Sequence, residues 1–302
     1  MQKIVINKNT CGQRLDKFLM RHLGAAPKPF IHKMLRKKNI VVNGVRVECA
    51  LILNDGDVVM LYLADETIAK FTKSSKSSVG ALEIIYKDEN IAIVNKPADL
   101  LTQPDSANSD SVTGRLRYLY KDAAYVPVVV NRLDRNTTGI VLCAKNHSSA
   151  QILSKLIHNR CIKKNYLAVV HGEISREMIL EGFYEKDASK KLVQIVPRGT
   201  LKQKVVTKVE PVEYDAARNV TVLKIGLETG RSHQIRAHLA SIGHPLVGDV
   251  KYGGKGAARQ MLHAQEVVFD EVYGILDYLS GKSFTAPLPK DMVYFNNKRG
   301  RY

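Results

Sequence analysis

An α+β fold in two parts is the architecture this sequence predicts: a small basic unit, then a larger domain around a central, mostly antiparallel mixed sheet. Three observations predict it. Apolar residues at helical spacing cluster in residues 11–39, ahead of a short β-ribbon pattern. After residue 82, β-rich apolar runs recur with helical patterns between them. The net charge of +17 is unevenly spread, since residues 1–80 hold 14 Lys and Arg against 6 Asp and Glu. A field of that sign attracts polyanions, and nucleic acid is the commonest of these in a cytoplasm.

The first unit is predicted over residues 1–65. In QRLDKFLMRHL, the residues Leu15, Phe18, Leu19 and Leu23 fall on one helical face. GAAPKP interrupts that helix, and FIHKMLRKKN supplies a second one. There Ile31, Met34 and Leu35 face inward, while Lys33, Arg36 and Lys37 share another face. VVNGVRV carries Asn43-Gly44, a tight-turn signal, and LNDGDVVMLYL adds a further turn and a strand. Residues 66–81, rich in serine, lysine and small side chains, predict a flexible linker.

The larger domain is predicted over residues 82–302. LEIIYKDENIAIVNKP reads as two β segments around a polar turn, followed by β runs in GIVLCA, NYLAVVHG, KVVTKVEPVEY and NVTVLKIGLE. SSAQILSKLIHN and HQIRAHLASIG are helical. Ser232 is the expected N-cap of the latter, whose buried stripe is Ile235, Leu239 and Ile242.

Two stretches carry chemistry. In VNRLDRNTTGIVLCAKN, Asp134 stands between Arg132 and Arg135 on a turn before an apolar strand. Flanking guanidiniums favour the charged form of such an acid, which can then serve as nucleophile or base. Taken alone, RLDR favours a surface ion pair, and a second stretch reverses that reading. In LETGRSHQIRAHLASIGHPLVGDVKYGG, Arg231 and Arg236 frame a helix start, where free N–H groups favour anions. His233 and His238 are five apart, so they do not share a helical face as an i, i+4 metal pair would. The four cysteines form no C-x-x-C pair, as expected of thiols in a reducing compartment.

Taken together, these stretches resemble the RluA family of RNA pseudouridine synthases. NRLDRNTTG is similar to the family's H-R-L-D-R-x-T-S-G motif, with Asn131 and Thr138 departing from it. GRSHQIRAHLASIGHPLVGDVKYG matches its long arginine- and histidine-bearing motif, and RCIKKNYLAVVHG resembles the segment that supplies an active-site tyrosine, here Tyr166. MLHAQEVVF and FTAPLPKDM resemble its closing elements. The first unit resembles an S4 RNA-binding domain, most like that of the large-subunit synthase C subgroup.

The resemblance implies isomerisation of uridine in RNA, most simply large-subunit ribosomal RNA, with transfer RNA as the alternative substrate. It implies Asp134, Tyr166 and Arg236 as catalytic residues: the acid, an aromatic face for uracil, and the acid's cationic partner. Arg132 fills the space of the extruded nucleotide, Ile235 packs on the base, and Arg231, His233 and Gln234 bind substrate. Lys33, Arg36 and Lys37 contact RNA phosphates. No cofactor or metal is needed for an isomerisation, and none is expected. A monomer in the cytoplasm, with no membrane span, completes the expectation. Two other classes compete: a non-catalytic RNA-binding ribosome-assembly protein on the same fold, and a metal-dependent nuclease using Asp134, Asp249 and histidines. The first predicts loss of the central acid, the second clustered carboxylates.

Overall fold

The computed structural model describes the chain apart from Ala25, residues 73–79, 106–108, 121–124, 188–191 and 294–302, and the side chain of Lys202. Two separate sheets organise the described residues. The first belongs to an N-terminal unit of β1 (Gln2–Val5), α1 (Leu15–His22), α2 (Lys28–Arg36), β2 (Ile40–Val42) and β3 (Val58–Leu61). Its strands pair antiparallel in the order β1-β3-β2. Both helices bury the stripes their periodicity predicted: Leu15, Phe18 and Leu19 on α1, and Ile31, Met34 and Leu35 on α2. Pro27 caps α2 and Pro29 lies in its first turn, where a missing N–H costs nothing; the prolines therefore start this helix as well as stopping the first. Asn43 and Gly44 both take positive φ, 51° and 79°, in the tight turn between Val42 and Val45.

The expected linker is corrected over its first half. Residues Asp65–Thr72 form a helix, α3, and Ile68 and Phe71 pack on the core of the N-terminal unit. The Phe71 ring lies 4.8 Å from that of Phe30. Two apolar residues three apart suffice to dock one helical face, and the surrounding polar composition concealed them. Most of the serine-rich part of the expected linker, residues 73–79, falls outside the described residues.

Among the described residues the larger sheet has eleven strands. They are β4 (Glu83–Lys87), β5 (Ile91–Lys96), β6 (Val128–Val129), β7 (Thr138–Ala144), β8 (Ile162–His171), β9 (Met178–Asp187), β10 (Leu192–Val196), β11 (Lys204–Asp215), β12 (Val220–Leu227), β13 (Leu262–Phe269) and β14 (Ser283–Thr285). The main path runs β10-β9-β11-β12-β8-β13-β7-β5-β4, with β14 on β13 and β6 on β7. Of these pairings only β13 with β7 is parallel, so the predicted mostly antiparallel sheet is present. The α-helices among the described residues of this part are α4 (Val112–Leu119), α5 (His147–His158), α6 (Gln234–Ser241) and α7 (Lys290–Val293). Asn146 caps α5 by accepting from the Ser149 N–H at 2.8 Å.

Strand alternation divides the core into two faces. Ala92, Val94, Val141 and Cys143 face one cluster with α4 and α6, whereas Ile91, Ile93, Ile140 and Leu142 face another with α5. Central strands buried on both sides give a stiff platform. The turn leading into β7, the start of α6 and Tyr166 of β8 all meet on the first of these faces, at one cleft.

Candidate active site

Asp134 opens the four-residue turn 134–137 that leads into β7, and each residue from 133 to 136 has its backbone tied. The Thr102 hydroxyl donates to the Leu133 carbonyl at 2.8 Å and accepts from the Leu133 N–H at 3.1 Å. The Thr137 N–H donates to the Asp134 carbonyl at 3.1 Å. The Lys96 ammonium donates to the Arg135 carbonyl at 2.7 Å, and the Arg259 guanidinium to the Asn136 carbonyl at 3.2 Å. Immediately after the turn, Gly139 adopts φ 106°, and a Cβ there would stand 2.2 Å from the Ala264 carbonyl oxygen. Only glycine lets β7 approach β13 this closely.

Lys96 is fully buried and donates also to the Pro97 and Leu100 carbonyls at 2.9 and 2.7 Å. Burial pulls its amine down to about 7, opposed by the charge of Asp134. Three carbonyl acceptors require three N–H donors, so the arrangement is that of the ammonium form. It is a second cation behind the acid that sequence reading missed. The available signal was a lysine closing the apolar strand IAIVNK.

The expected partnership of Asp134 with Arg236 is present: Nη1 donates to Asp134 Oδ2 at 2.8 Å. Arg236 also holds Asp249, through Nε to Oδ2 at 2.7 Å and Nη2 to Oδ1 at 2.8 Å. This guanidinium thus bridges two acids of different standing. The Asp249 carboxylate is 1 % exposed and that of Asp134 is 25 % exposed. Burial lowers the affinity of Arg236 for its proton, but Asp249 and then Asp134 outweigh it, so the group is held firmly charged. Asp249 stands in the expected site only through a rival reading; its actual place is beneath Arg236.

Several expectations are corrected here. Arg132 and Arg135 do not cage the acid: Arg135 lies 3.6 Å from Asp99 and 3.8 Å from Asp105, and Arg132 is exposed at the cleft wall. Neighbours on a turn diverge, so the cation comes from α6 instead. Ser232 does not cap α6; His233 occupies that position at φ 56°, without a side-chain cap. Gln234 is not free to bind substrate. Its amide donates to the Val206 carbonyl and the Thr207 hydroxyl, each at 3.0 Å, and its oxygen accepts from Thr229 and the Arg231 N–H. Ile242 is 37 % exposed rather than part of the buried stripe.

The cleft measures about 790 Å³ and brings together Arg132, Asp134, Tyr166, Arg231, His233, Ile235 and Arg236. Lys164, Tyr184 and Lys251 also line it. Tyr166 and Ile235 are buried apolar walls, and burial pushes the Tyr166 phenol well up, keeping it neutral. One side of the cleft is therefore flat and apolar, and another carries an acid with a fixed cation. His233 Nε2 stands 3.7 Å from Asp134 Oδ2, and burial lowers this imidazole's affinity for a proton. Asn131 and Thr138, the two departures from the motif, serve the scaffold. Asn131 bonds the backbone of Ile140 and Leu142, and the Thr138 hydroxyl lies 2.8 Å from His263 Nδ1.

Residues 90–241 match the family model described as RNA pseudouridylate synthase, and relatives at 30–34 % identity extend the match across most of the chain. The chain belongs to this family. An RNA pseudouridine synthase of Bacillus subtilis, YhcT, is 34 % identical over 96 % of this chain and 94 % of its own length. The ribosomal large subunit pseudouridine synthase D of Escherichia coli K12 is 33 % identical, covering 95 % and 91 %. The C synthase of Pasteurella multocida is 30 % identical, covering 89 % and 86 %. Among solved structures, human RNA pseudouridylate synthase domain containing 4 shares the fold, with a TM-score of 0.56 over 70 % of this chain and 90 % of its own, at 20 % identity. Membership makes the chain an RNA pseudouridine synthase, an isomerase.

Away from the cleft, Lys33 and Arg36 are exposed on α2 and Lys37 at its C-cap, and a second groove gathers Lys28, Arg36 and Arg46. Asp16, His32 and Cys49 converge beside it within 4.8 Å. The Asp16 carboxylate is already held by Arg14 at 2.9 and 3.0 Å, and three cations line the groove; we assign no metal to this cluster. Among the described residues, no helix is long and apolar enough to cross a membrane.

Proposed function

We propose that this synthase acts on specific uridines of large-subunit ribosomal RNA, with Asp134 as the reacting acid, Arg236 as its partner, and Tyr166 and Ile235 as the walls that hold uracil. The N1–C1′ bond breaks, the base turns, C5 bonds to C1′, and the proton lost from C5 is balanced by one gained at N1. The observation that carries the reading is the tethered Asp134–Arg236 pair facing an apolar aromatic wall across one cleft. A detached uracil, which carries away the electron pair of the broken N1–C1′ bond until N1 gains its proton, needs a wall to hold it, and the charge left at the sugar needs a preorganised ionic partner. The uridine enters extruded from its stack, and Arg132 at the cleft wall fills the gap, a task suited to a planar guanidinium. Attack at C1′, attack on the ring and removal of the C2′ proton all use the carboxylate in the same place.

The ribosomal substrate is supported by the names of the C and D relatives, which match almost the whole chain. The N-terminal unit, read as an S4-like RNA-binding domain, presents Lys33, Arg36 and Lys37 to phosphates. Unmodified large-subunit RNA and transfer RNA, each labelled with tritium at uridine C5, distinguish the substrates. Release of tritium from the ribosomal RNA, unaffected by a chelator and without strand cleavage, is the expected result. Release from transfer RNA alone would move the substrate, and chelator-sensitive cleavage would replace the activity.

A further inference from the structure

His233 has backbone and side-chain features that the roles above do not use. It is a non-glycine residue at φ 56°, ψ 14°, a left-handed conformation that L side chains adopt rarely. Strain of this kind marks positions where the surrounding structure insists on one orientation. The insistence is visible on both sides. Gln234, anchored to β11, holds the Arg231 N–H, and the imidazole Nδ1 lies 3.0 Å from the Tyr252 hydroxyl.

One arrangement gives every polar group in this chain of contacts a partner. The Val193 N–H, on β10, donates to the Tyr252 oxygen at 3.1 Å. With the phenol's own hydrogen given to His233 Nδ1, Nδ1 is the acceptor and Nε2 carries the proton. Nε2 is the atom that faces Asp134 Oδ2, 3.7 Å away. The same tyrosine ring lies 5.0 Å from the Arg236 guanidinium carbon, so Tyr252 braces both groups that address Oδ2.

We infer that Tyr252 and His233 form a positioning relay for the isomerisation: Val193 orients the phenol, the phenol sets the imidazole tautomer, and the imidazole N–H closes on Asp134 Oδ2 when RNA fills the cleft. The gap of 3.7 Å needs a movement of under about 1 Å to become a hydrogen bond. Oδ2 is then pinned from two sides and the carboxylate can no longer rotate, so Oδ1 alone meets the nucleotide. Neither residue exchanges a proton in this role. The inference rests on Asp134 being the reacting acid.

The test is a double-mutant cycle with Tyr252→Phe and His233→Asn. The first removes only the hydroxyl, and asparagine tolerates the left-handed backbone. Single-turnover product formation and RNA affinity are measured for the wild type, each single variant and the double variant. Each single change is expected to slow the reaction by about 10- to 100-fold, the scale of a small misplacement of a reacting group, with the affinity unchanged within about twofold. The double variant is expected to be no slower than the slower single one, because the two act through one contact. Multiplying effects, a wild-type rate in Tyr252→Phe, or rate losses explained by weaker RNA binding would overturn the relay. Absence of product from the wild type would instead remove the functional reading beneath it.

Discussion

Replacing Asp249 by asparagine separates the two acids that share Arg236. The Asp249 carboxylate, 1 % exposed, receives Nε at 2.7 Å and Nη2 at 2.8 Å. Asparagine keeps one acceptor and turns its amide hydrogens towards the other donor, while leaving Arg236 with a single carboxylate. Breaking a buried ion pair from one side costs about 3–5 kcal/mol, and the surviving Asp134 contact argues for the lower end, about 3 kcal/mol. For a domain of this size that is a fall in melting temperature of about 6–12 °C. Asp134→Asn removes a quarter-exposed partner with one contact, where a loss of about 1 kcal/mol or less is expected, or under about 4 °C. With its guanidinium loosened, Asp249→Asn should also slow single-turnover product formation by about 100-fold, through misaimed Oδ2. Thermal melts and a tritium-release time course on the same preparations measure both effects. An Asp249→Asn protein that melts within about 2 °C of the wild type and reacts at the wild-type rate would refute the reasoning.

Two further outcomes follow from the same structure. Changing Lys33, Arg36 and Lys37 together to alanine should weaken RNA binding and flatten its dependence on salt, by about 0.7 in the logarithmic slope per lost contact on single strands; an unaltered slope would mean these residues are merely solvated. His238 and His263 are drawn down to about 4 by burial, each beside a threonine hydroxyl at 2.8 Å. Below the ordinary histidine range near 6.5, the unfolded chain takes up protons the folded one refuses. Stability present above about 6.5 should therefore be lost as the pH falls towards 4, by about 1–3 kcal/mol per histidine. Denaturant midpoints that match at pH 7 and pH 5 would contradict this.

What was legible in the sequence was what depends on short-range pattern. The stripes of α1 and α2, the helix α5, the strands on either side of Asp88-Glu89-Asn90, and the Asn43-Gly44 turn follow from periodicity and turn chemistry. Asp134, Tyr166 and Arg236 came from motifs, and the structure brings them to one cleft from three separate elements. The supports of the site were not legible, because their meaning arises only when the sheet closes. Lys96 looks like an ordinary strand-end lysine until the turn at residues 134–137 folds over it, and Asp249 looks like a loop acid until Arg236 descends on it. Sequence neighbours misled in the opposite direction. Arg132 and Arg135 flank the acid along the chain, yet the turn carries Arg135 to Asp99 and Asp105 and leaves Arg132 exposed. Ser232 has the chemistry of a cap, but the left-handed residue after it and the anchored Gln234 set the helix entry instead. The short helix α3 was hidden by its polar surroundings, since only Ile68 and Phe71 carry its docking.

The assignment of Asp134 as the reacting group is most directly tested by the Asp134→Asn protein mixed in excess with tritium-labelled large-subunit RNA. It should bind that RNA with nearly wild-type affinity and release no tritium above background in a single turnover. Release at an appreciable fraction of the wild-type rate would place the chemistry on some other residue.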